Sequence, residues 1–223
     1  TELFGDIGSR CLVTRQGFDL LAALRALDAD VPSPYAPEQR AWLAEQVRQG
    51  DARFRVYASS VSFTSLVLDL SDPALDAPEP MRRAFYLNVD QWDGFPRERR
   101  RLLDDVFAPA GGTIVLSGDI HSGFATQHGA AVVEFTAPAI SSETLSGMLA
   151  RSSGGSAERA EAGRRLADHL ETVVSAGNPA LRYAQTRRHG VGVLRIDGEH
   201  ATAEFRELPA ELCAQCLYEQ PER

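Results

Sequence analysis

The sequence predicts a layered α/β domain, and three observations lead to that prediction. Helical and strand patterns alternate through the middle of the chain, an Asp-Gly turn between two apolar runs near the end marks a β-hairpin, and a short apolar strand leads into a glycine. The chain has 223 residues, of which 43% are hydrophobic and 24% are charged. That length and composition suit one globular domain with a substantial core.

The first predicted helix begins at Pro37. Residues 1–35 before it mix apolar stretches with glycine and proline, and they fit no single element. Proline is favoured at a first helical position, and Gly50 can end the helix. The apolar stripe of this helix would consist of Trp42, Leu43 and Val47. Residues 54–70 lack a helical period and predict one or two strands, and residues 71–87 form a connector rich in proline and aspartate.

The second half of the chain predicts two more helices and four strands. A helix starts at Pro96, exposes an arginine-rich face at residues 97–101, and buries Leu102, Leu103, Val106 and Phe107. A pair of glycines at residues 111–112 ends it. The remaining predicted elements are strands at residues 113–116 and 131–135, the longest helix at residues 154–177, and a hairpin that joins residues 192–196 to residues 201–206.

Composition restricts the classes of function. The formal net charge of −8 argues against a nucleic-acid partner, because such proteins need a basic surface. The acidic balance fits a protein that holds cations, and equally one whose charge only keeps it in solution. All 23 basic residues are arginine, so a P-loop, a Schiff base and a serine–lysine dyad are excluded. No apolar run of the sequence is long enough to cross a bilayer, so we expect no transmembrane segment.

The three cysteines do not predict a zinc site. Cys11 stands alone in the sequence, and Cys213 and Cys216 form a single CxxC pair with no second pair to complete four ligands. We expect this pair to be either a local disulfide or two thiols.

The strongest local signal for chemistry is Thr-Ile-Val-Leu-Ser-Gly-Asp-Ile-His-Ser-Gly at residues 113–123. Asp119 and His121 follow the apolar strand with one residue between them, so both side chains can face one pocket and bind a metal ion. Gly118 and Gly123 allow close approach of backbone and substrate. We expect a loop at the end of a buried strand, with the two side chains close together. A solvated turn that happens to contain Asp and His fits the spacing equally well.

A second candidate segment is Asn-Val-Asp-Gln-Trp-Asp-Gly-Phe-Pro at residues 88–96. It precedes a predicted helix, and helix capping alone would explain an acidic residue there. The polar and aromatic residues that could line a site are Asn88, Asp90, Trp92 and Asp93.

A third candidate segment follows Asn178-Pro179 and Tyr183. Arginine binds phosphate oxygens in a bidentate manner, so a basic run here is a candidate phosphate contact. The run consists of Arg187, Arg188 and His189. The same residues could simply form a loop that enters the final hairpin. Three histidines without partners at useful spacing are interpreted as surface residues, namely His128, His169 and His200.

Together these segments resemble the PhoD-like phosphatases, also called alkaline phosphatase D, a family of the calcineurin-like metallophosphoesterases. Six resembling stretches occur in the family's order and span roughly residues 36–206, and six motifs in series are a strong signal. They are residues 38–43, residues 58–63, residues 90–96 with Arg99, Leu102 and Leu103, residues 116–121, residues 134–142, and residues 178–190.

The resemblance implies a metal-bridged site in a two-sheet sandwich flanked by helices. Its ions would be calcium and iron, and its substrates phosphomonoesters or phosphodiesters. By this resemblance Asp119 would be a metal ligand, and His121 would be either a ligand or a close neighbour of a ligand. His121 would also stabilise the leaving oxygen. The loop of Trp92 and Asp93 would line the site, and Arg187 with its neighbour Arg188 would contact phosphate. The resemblance also favours an exported protein.

Two departures from the family pattern shape the functional prediction. Phe95 stands where the family usually has tyrosine, so a hydroxyl contact is lost. The earlier motifs that supply most metal ligands, of the types Gly-Asp-x-x-Asp and Asn-His-Asp, do not occur in the sequence. We therefore expect residues 36–206 to be the C-terminal portion of a metallophosphatase domain and residues 207–223 to be a tail. The chain by itself should have low activity, and its partner would be a missing N-terminal portion or a second copy in a dimer.

A different class of function fits the same sequence. The domain could keep the metallophosphatase fold and act as a binding or interaction module without hydrolysis. If an N-terminal portion that packs on the same core is missing, the apolar strands within residues 56–70 and 114–116 should become exposed to solvent. Residues 1–35 would then cover them, or the chain would dimerise, or an apolar face would stay open.

Overall fold

The computed structural model describes residues 11–27, 32–152 and 157–209, which form two β-sheets, a separate hairpin and flanking helices. The large sheet contains, in spatial order, β2 (Arg55–Ala58), β5 (Thr113–Ser117), β7 (Val132–Thr136), β6 (Gly123–His128) and β8 (Leu181–Gln185). The small sheet contains β1 (Cys11–Thr14), β4 (Ala84–Asn88) and β3 (Val67–Asp69). The α/β fold class predicted from the sequence is confirmed.

The helices lie between and around the strands. They are α1 (Arg15–Arg25), α2 (Pro37–Gln49), α3 (Pro96–Arg101), α4 (Ala108–Ala110), α5 (Leu145–Ser152) and α6 (Ala157–Gly177). A π-helical stretch, Leu102–Phe107, joins α3 to α4, and short 3-10 turns occur at Pro73–Leu75, Glu79–Met81 and Trp92–Gly94. Within the described ranges, none of these helices has both the length and the apolar character needed to cross a membrane.

One edge of the large sheet collects the loops that carry the candidate residues. β2, β5 and β7 run parallel, so their carboxyl ends meet at this edge, whereas β6 starts there and β8 ends there. The backbone N–H of Ser59 donates to Leu116 O, and that of Ala137 donates to Ser117 O, which ties the departing loops together. We call this the site edge, made of residues 59–66, 118–122, 137–144 and 186–187.

Two apolar clusters hold the layers together. One lies between the small sheet, α5, α6 and β6, and its fully buried members include Leu68, Phe124 and Leu170. The other lies between the large sheet, α2 and the π-helical stretch, and it centres on Phe63 and Phe107. Because buried apolar surface is the main stabilising contribution, these clusters fix the position of the site edge.

A hairpin follows β8 and contacts the large sheet through Phe205, whose ring lies 6.4 Å from that of Phe135. β9 (Arg188–Ile196) pairs antiparallel with β10 (Ala201–Pro209), as the Asp-Gly turn predicts. Phe205 of the hairpin stacks on Tyr183 of β8, with 5.3 Å between ring centroids and 16° between planes. The hairpin is therefore anchored by aromatic contacts near the site edge.

A fully buried carboxylate lies at the centre of the large sheet. Glu134 of β7 is surrounded by polar groups from three other segments and from β7 itself. They are the backbone N–H of Phe63, His128 Nε2 and the hydroxyls of Thr64, Ser117 and Thr136. Burial alone would raise the pKa of Glu134, but these hydrogen bonds, first of all that from His128, outweigh it and lower the pKa. The network joins the loop after β2 to the sheet.

Several local predictions are confirmed and others are wrong. The helix that begins at Pro37 and ends before Gly50 is observed, but Trp42 is 64% exposed and does not belong to its apolar stripe. Leu43 and Val47 pack on the core, and Trp42 lies about 100° around the helix from Leu43. The connector predicted at residues 71–87 contains most of β4.

The arginine run of α3 is not simply a solvent-exposed face. Glu98 within it is buried and forms ion pairs with Arg101, at 2.7 Å, and with Arg40, at 3.5 Å. Arg99 pairs with the buried Asp93. His128 is not a surface residue either, since its side chain is only 9% exposed and contacts Glu134. Outside residues 1–35, the strands β6 and β8 and the helix α5 lie in segments for which the sequence predicts no element.

Part of the N-terminal segment covers the small sheet. β1 pairs with β4, and Phe18 of α1 packs edge-on against Tyr86 at 5.6 Å. The outer face of α1 remains apolar and open, however, with Leu20 and Leu24 exposed, as is Leu27 just after the helix. Residues 11–27 thus cover one apolar surface and expose another. The cysteine pair at residues 213 and 216 lies outside the described residues.

Candidate functional site

The loop between β5 and β6 has an unusual backbone. Asp119 and His121 both have positive φ angles, 70° and 57°, in a region that non-glycine residues seldom adopt. Ile120 between them is buried, Asp119 is exposed, and His121 is half-buried. The loop therefore anchors one apolar side chain in the core and leaves the two polar ones accessible. A loop after a buried strand, as predicted, is what the structure contains.

One ring nitrogen of His121 is fixed by the backbone. Nδ1 lies 2.6 Å from the carbonyl oxygen of Glu143, and the backbone N–H of Leu145 donates to His121 O. A carbonyl oxygen can only accept, so Nδ1 carries the hydrogen. In the neutral ring the lone pair is then on Nε2, and no residue of the described ranges occupies that atom. His121 is thus oriented for a cation or a proton at Nε2.

The carboxylate of Asp119 is held on one side only. Gln91 Nε2 donates to Asp119 Oδ2 over 2.9 Å. No hydrogen bond within the described ranges involves Oδ1. This hydrogen bond connects the segment at residues 88–96 to the Asp119 loop. The connecting residue is Gln91, which is not among the four residues of this segment that the sequence predicts to line a site.

Those four residues divide into two groups. The carboxylate of Asp93 is buried and accepts from Ser65 Oγ, the backbone N–H of Leu66 and Arg99, at 2.7, 2.8 and 2.9 Å. The Trp92 ring is buried too, and its Nε1–H donates to Ser59 Oγ. Both side chains face the core and support the loop.

The other two candidates of this segment are closer to solvent. Asn88 Oδ1 accepts from the backbone N–H of Asp90 over 2.8 Å, which is a local turn. Asp90 is exposed and Asn88 is half-buried. A contact between either side chain and a substrate stays a prediction.

The basic residues after β8 begin at the site edge, but they differ in whether their side chains are bound to other residues. Arg187 is bound to α6, where its guanidinium donates to Ala167 O at 2.6 Å and to Asp168 Oδ1 at 3.3 Å. Arg188 is exposed, and in the part of the chain that the structure describes its side chain has no hydrogen bond or ion pair. His189 is half-buried on β9 opposite Leu208. Arg188 is therefore the arginine that remains available for an anion.

A tyrosine–glutamate pair flanks the start of β6. Tyr183 Oη donates to Glu207, 2.9 Å from Oε1 and 2.8 Å from Oε2. Burial, followed by this hydrogen bond, raises the pKa of Tyr183 to about 12, so the hydroxyl stays protonated at neutral pH. A Cβ on Gly123 would lie 3.1 Å from Glu207 Oε1, so glycine permits this close approach. Sequence reasoning missed this pair because β8 and β10 are distant in the chain.

The donor set fits a cation only in part. A carboxylate oxygen and an imidazole nitrogen suit calcium and first-row transition metals. Ser122, the next residue, has a buried Oγ without a hydrogen-bond partner in the described ranges. Among the described residues, however, no group of three or more His, Cys, Asp or Glu side chains could hold a metal ion. The loop thus offers part of a ligand set.

Comparison with known proteins agrees with the pattern of motifs. A solved structure of PhoD matches the chain with 16% identity and a TM-score of 0.45, and the match covers 77% of this chain and 32% of the PhoD chain. No curated protein sequence gives a significant match. The family model for PhoD-like phosphatase matches residues 33–205, well over half of the chain and nearly the range over which the motifs resemble the family. The chain therefore belongs to the PhoD-like phosphatase family.

Proposed function

We propose that this chain supplies one part of the metal site of a phosphoester hydrolase. The observation that carries the proposal is the loop of residues 118–122, where Asp119 Oδ1 and His121 Nε2 are both without protein partners in the described ranges. Asp119 would be a ligand, and His121 would be a ligand through Nε2 or, with a proton on Nε2, a donor to the leaving oxygen. Calcium and iron are the ions that we propose, on the basis of the family resemblance alone.

The chain's own residues suggest how a phosphoester would be held. Bound cations would supply acidity to a water molecule and neutralise charge on the phosphoryl oxygens. Arg188 is exposed and directly follows the site edge in the chain, and its paired N–H groups can contact a phosphoryl oxygen. Arg187 is already bound to α6, so we now propose Arg188 alone for this contact.

In this proposal, the remaining metal ligands come from residues outside the described part of the chain. Two donors cannot hold a bridged pair of ions, and the described residues provide no larger cluster. A further N-terminal portion of the domain is the source we favour, and a dimer partner is the other. An exported location is part of the same proposal.

We predict that the chain alone hydrolyses nitrophenyl phosphate and bis(nitrophenyl) phosphate near the background rate, with or without added calcium and iron. The reason is the incomplete ligand set, since metal-assisted hydrolysis needs a fixed coordination geometry. Calorimetric titration with calcium should still detect weak binding, and Asp119→Asn should abolish it. Asp104→Asn, an exposed aspartate on the π-helical stretch, is the matched control and should leave binding unchanged.

Two results would count against this proposal. Rapid, calcium-dependent hydrolysis by the chain would show that its own residues complete the site. Calcium binding that is indifferent to Asp119→Asn would remove this loop from the metal site.

A non-hydrolytic interaction module is the second candidate. The observation that favours it is the exposure of large apolar side chains, namely Leu20 and Leu24 of α1 and Trp42 of α2. Such a domain would need no cation. The calcium titration separates the two, because the module has no reason to bind cations at Asp119.

A further inference from the structure

The start of α5 holds His121 at two points. The ring Nδ1 donates to the carbonyl oxygen of Glu143 over 2.6 Å, and the backbone N–H of Leu145 donates to His121 O over 3.1 Å. A single residue, Thr144, lies between the two that make these contacts. Because the Glu143 carbonyl belongs to the peptide plane that it shares with Thr144, the backbone of Thr144 determines where that carbonyl points.

Thr144 is itself fixed as the N-cap of α5. It is 5% exposed, its Oγ1 accepts from the backbone N–H of Gly147 over 3.2 Å, and its carbonyl accepts from that of Met148 over 2.9 Å. A Cβ on Gly147 would lie 3.2 Å from Thr144 Oγ1 and 3.0 Å from Glu143 Cγ, so glycine leaves room for the capping hydroxyl. The cap and the carbonyl that binds His121 therefore belong to one tightly packed turn.

The end of β8 also holds this turn. The backbone N–H of Ser146 donates to Thr186 O over 3.1 Å, and the two hydroxyl oxygens lie 2.7 Å apart. Thr186 is fully buried, and Glu171 of α6 accepts from its backbone N–H over 2.8 Å. The first turn of α5 is thus attached to two other elements, and it can serve as a fixed support for the His121 ring.

We propose that Thr144 is a positioning residue that keeps a hydrogen on Nδ1 of His121. This inference rests on the proposed function, in which His121 acts through Nε2. A carbonyl oxygen can only accept, so a ring with its hydrogen on Nε2 alone would lose the contact to Glu143. The Nδ1–H form leaves a lone pair on Nε2, and a proton added to Nε2 does not break the contact. The capped turn therefore holds the ring in place in both states that the proposed function uses.

Nitrogen NMR of the whole chain, with its histidine rings labelled, tests this role at about pH 8.5, where an ordinary imidazole is neutral. In the unaltered chain one ring nitrogen of His121 should carry hydrogen and the other should not, with widely separated signals. Thr144→Val keeps the shape of the side chain and removes the cap. The two His121 signals should then move towards each other, and solvent exchange of the Gly147 N–H should accelerate about five-fold. Thr144→Ser keeps the hydroxyl and should retain both readings of the unaltered chain.

The matched control is Thr113→Val. Thr113 is also buried, and its Oγ1 donates to Phe107 O at the opposite end of β5 from the His121 loop. This variant loses a buried hydrogen bond as well, but its His121 signals should equal those of the unaltered chain.

The contrary results are distinct. His121 signals that stay unchanged in Thr144→Val, or that change equally in Thr113→Val, overturn the positioning role. They leave the proposed function intact, because calcium binding at Asp119 tests that function separately. An unaltered chain with hydrogen on Nε2 alone overturns both this role and the part of the proposed function assigned to His121.

A second measurement needs no variant that might misfold. In the unaltered chain the Nδ1–H of His121 should be protected from solvent exchange together with the backbone N–H of Gly147. A ring hydrogen that exchanges freely while the Gly147 N–H stays protected overturns the positioning role.

Discussion

Replacing Glu134 by alanine should cost about 3–5 kcal/mol of stability, the range expected when one partner of a buried charged network is removed. The carboxylate is fully buried and accepts from His128, from hydroxyl groups and from the backbone N–H of Phe63. Alanine would leave these donors without partners and open a cavity between the large sheet and the loop after β2. Urea denaturation followed by circular dichroism measures the loss.

The matched control for this substitution is Glu161→Ala. Glu161 pairs with Arg164 on the surface of α6, and its side chain is 55% exposed. Exposed pairs contribute about 0–1 kcal/mol, so this variant should unfold near the unaltered midpoint. A loss below about 1 kcal/mol in Glu134→Ala would contradict the structural role of the network.

The same carboxylate predicts a pH dependence of stability. The pKa of Glu134 is lowered in the folded chain, from an ordinary value of 4.5, so the unfolded chain binds more protons in acid. Its contribution is therefore complete above pH 4.5 and is lost as the pH falls through the folded pKa. Glu134→Gln should remove this part of the acid sensitivity, measured as the urea midpoint between about pH 3 and pH 6.

Asp93→Ala should be the second most damaging substitution, at about 3 kcal/mol. Its buried carboxylate accepts from Ser65, from Leu66 N–H and from Arg99, whose guanidinium would lose its partner. Without these hydrogen bonds the loop that carries Gln91 should become less ordered. Because Gln91 is hydrogen-bonded to Asp119, calcium binding should weaken as well. Thermal unfolding and calorimetry measure the two effects.

An exposed aspartate of the same helical region serves as control. Asp104→Ala should change stability by no more than about 0.5 kcal/mol. If Asp93→Ala were as stable as this control, the three hydrogen bonds to Asp93 would not be what holds the loop at residues 89–95.

Local patterns in the sequence account for much of the fold. The Asp-Gly turn locates the final hairpin because that dipeptide adopts the required backbone with little cost. Strand β6 is harder to predict, since Thr126 and His128 face the interior and interrupt the apolar pattern. A polar interior can be recognised only once its hydrogen-bond partners are known.

The candidate site also contains some residues that the local sequence predicts and others that it does not. Asp119 and His121 are close in sequence, so their spacing after an apolar strand was sufficient to select them. Gln91 and the carbonyl of Glu143 act across 28 and 22 residues, and nothing in the local sequence indicates those contacts. Arg187 and Arg188 are adjacent, and only the position of Asp168 on α6 separates the bound arginine from the available one.

The central claim is that the loop of residues 118–122 presents Asp119 Oδ1 and His121 Nε2 to one cation. Anomalous diffraction from crystals soaked in a manganese salt tests it most directly. We predict one strong peak at the site edge, within about 2.5 Å of Asp119 Oδ1 and close to His121 Nε2. A soaked crystal with no peak at this loop, or with its peak at other carboxylates, would contradict the claim.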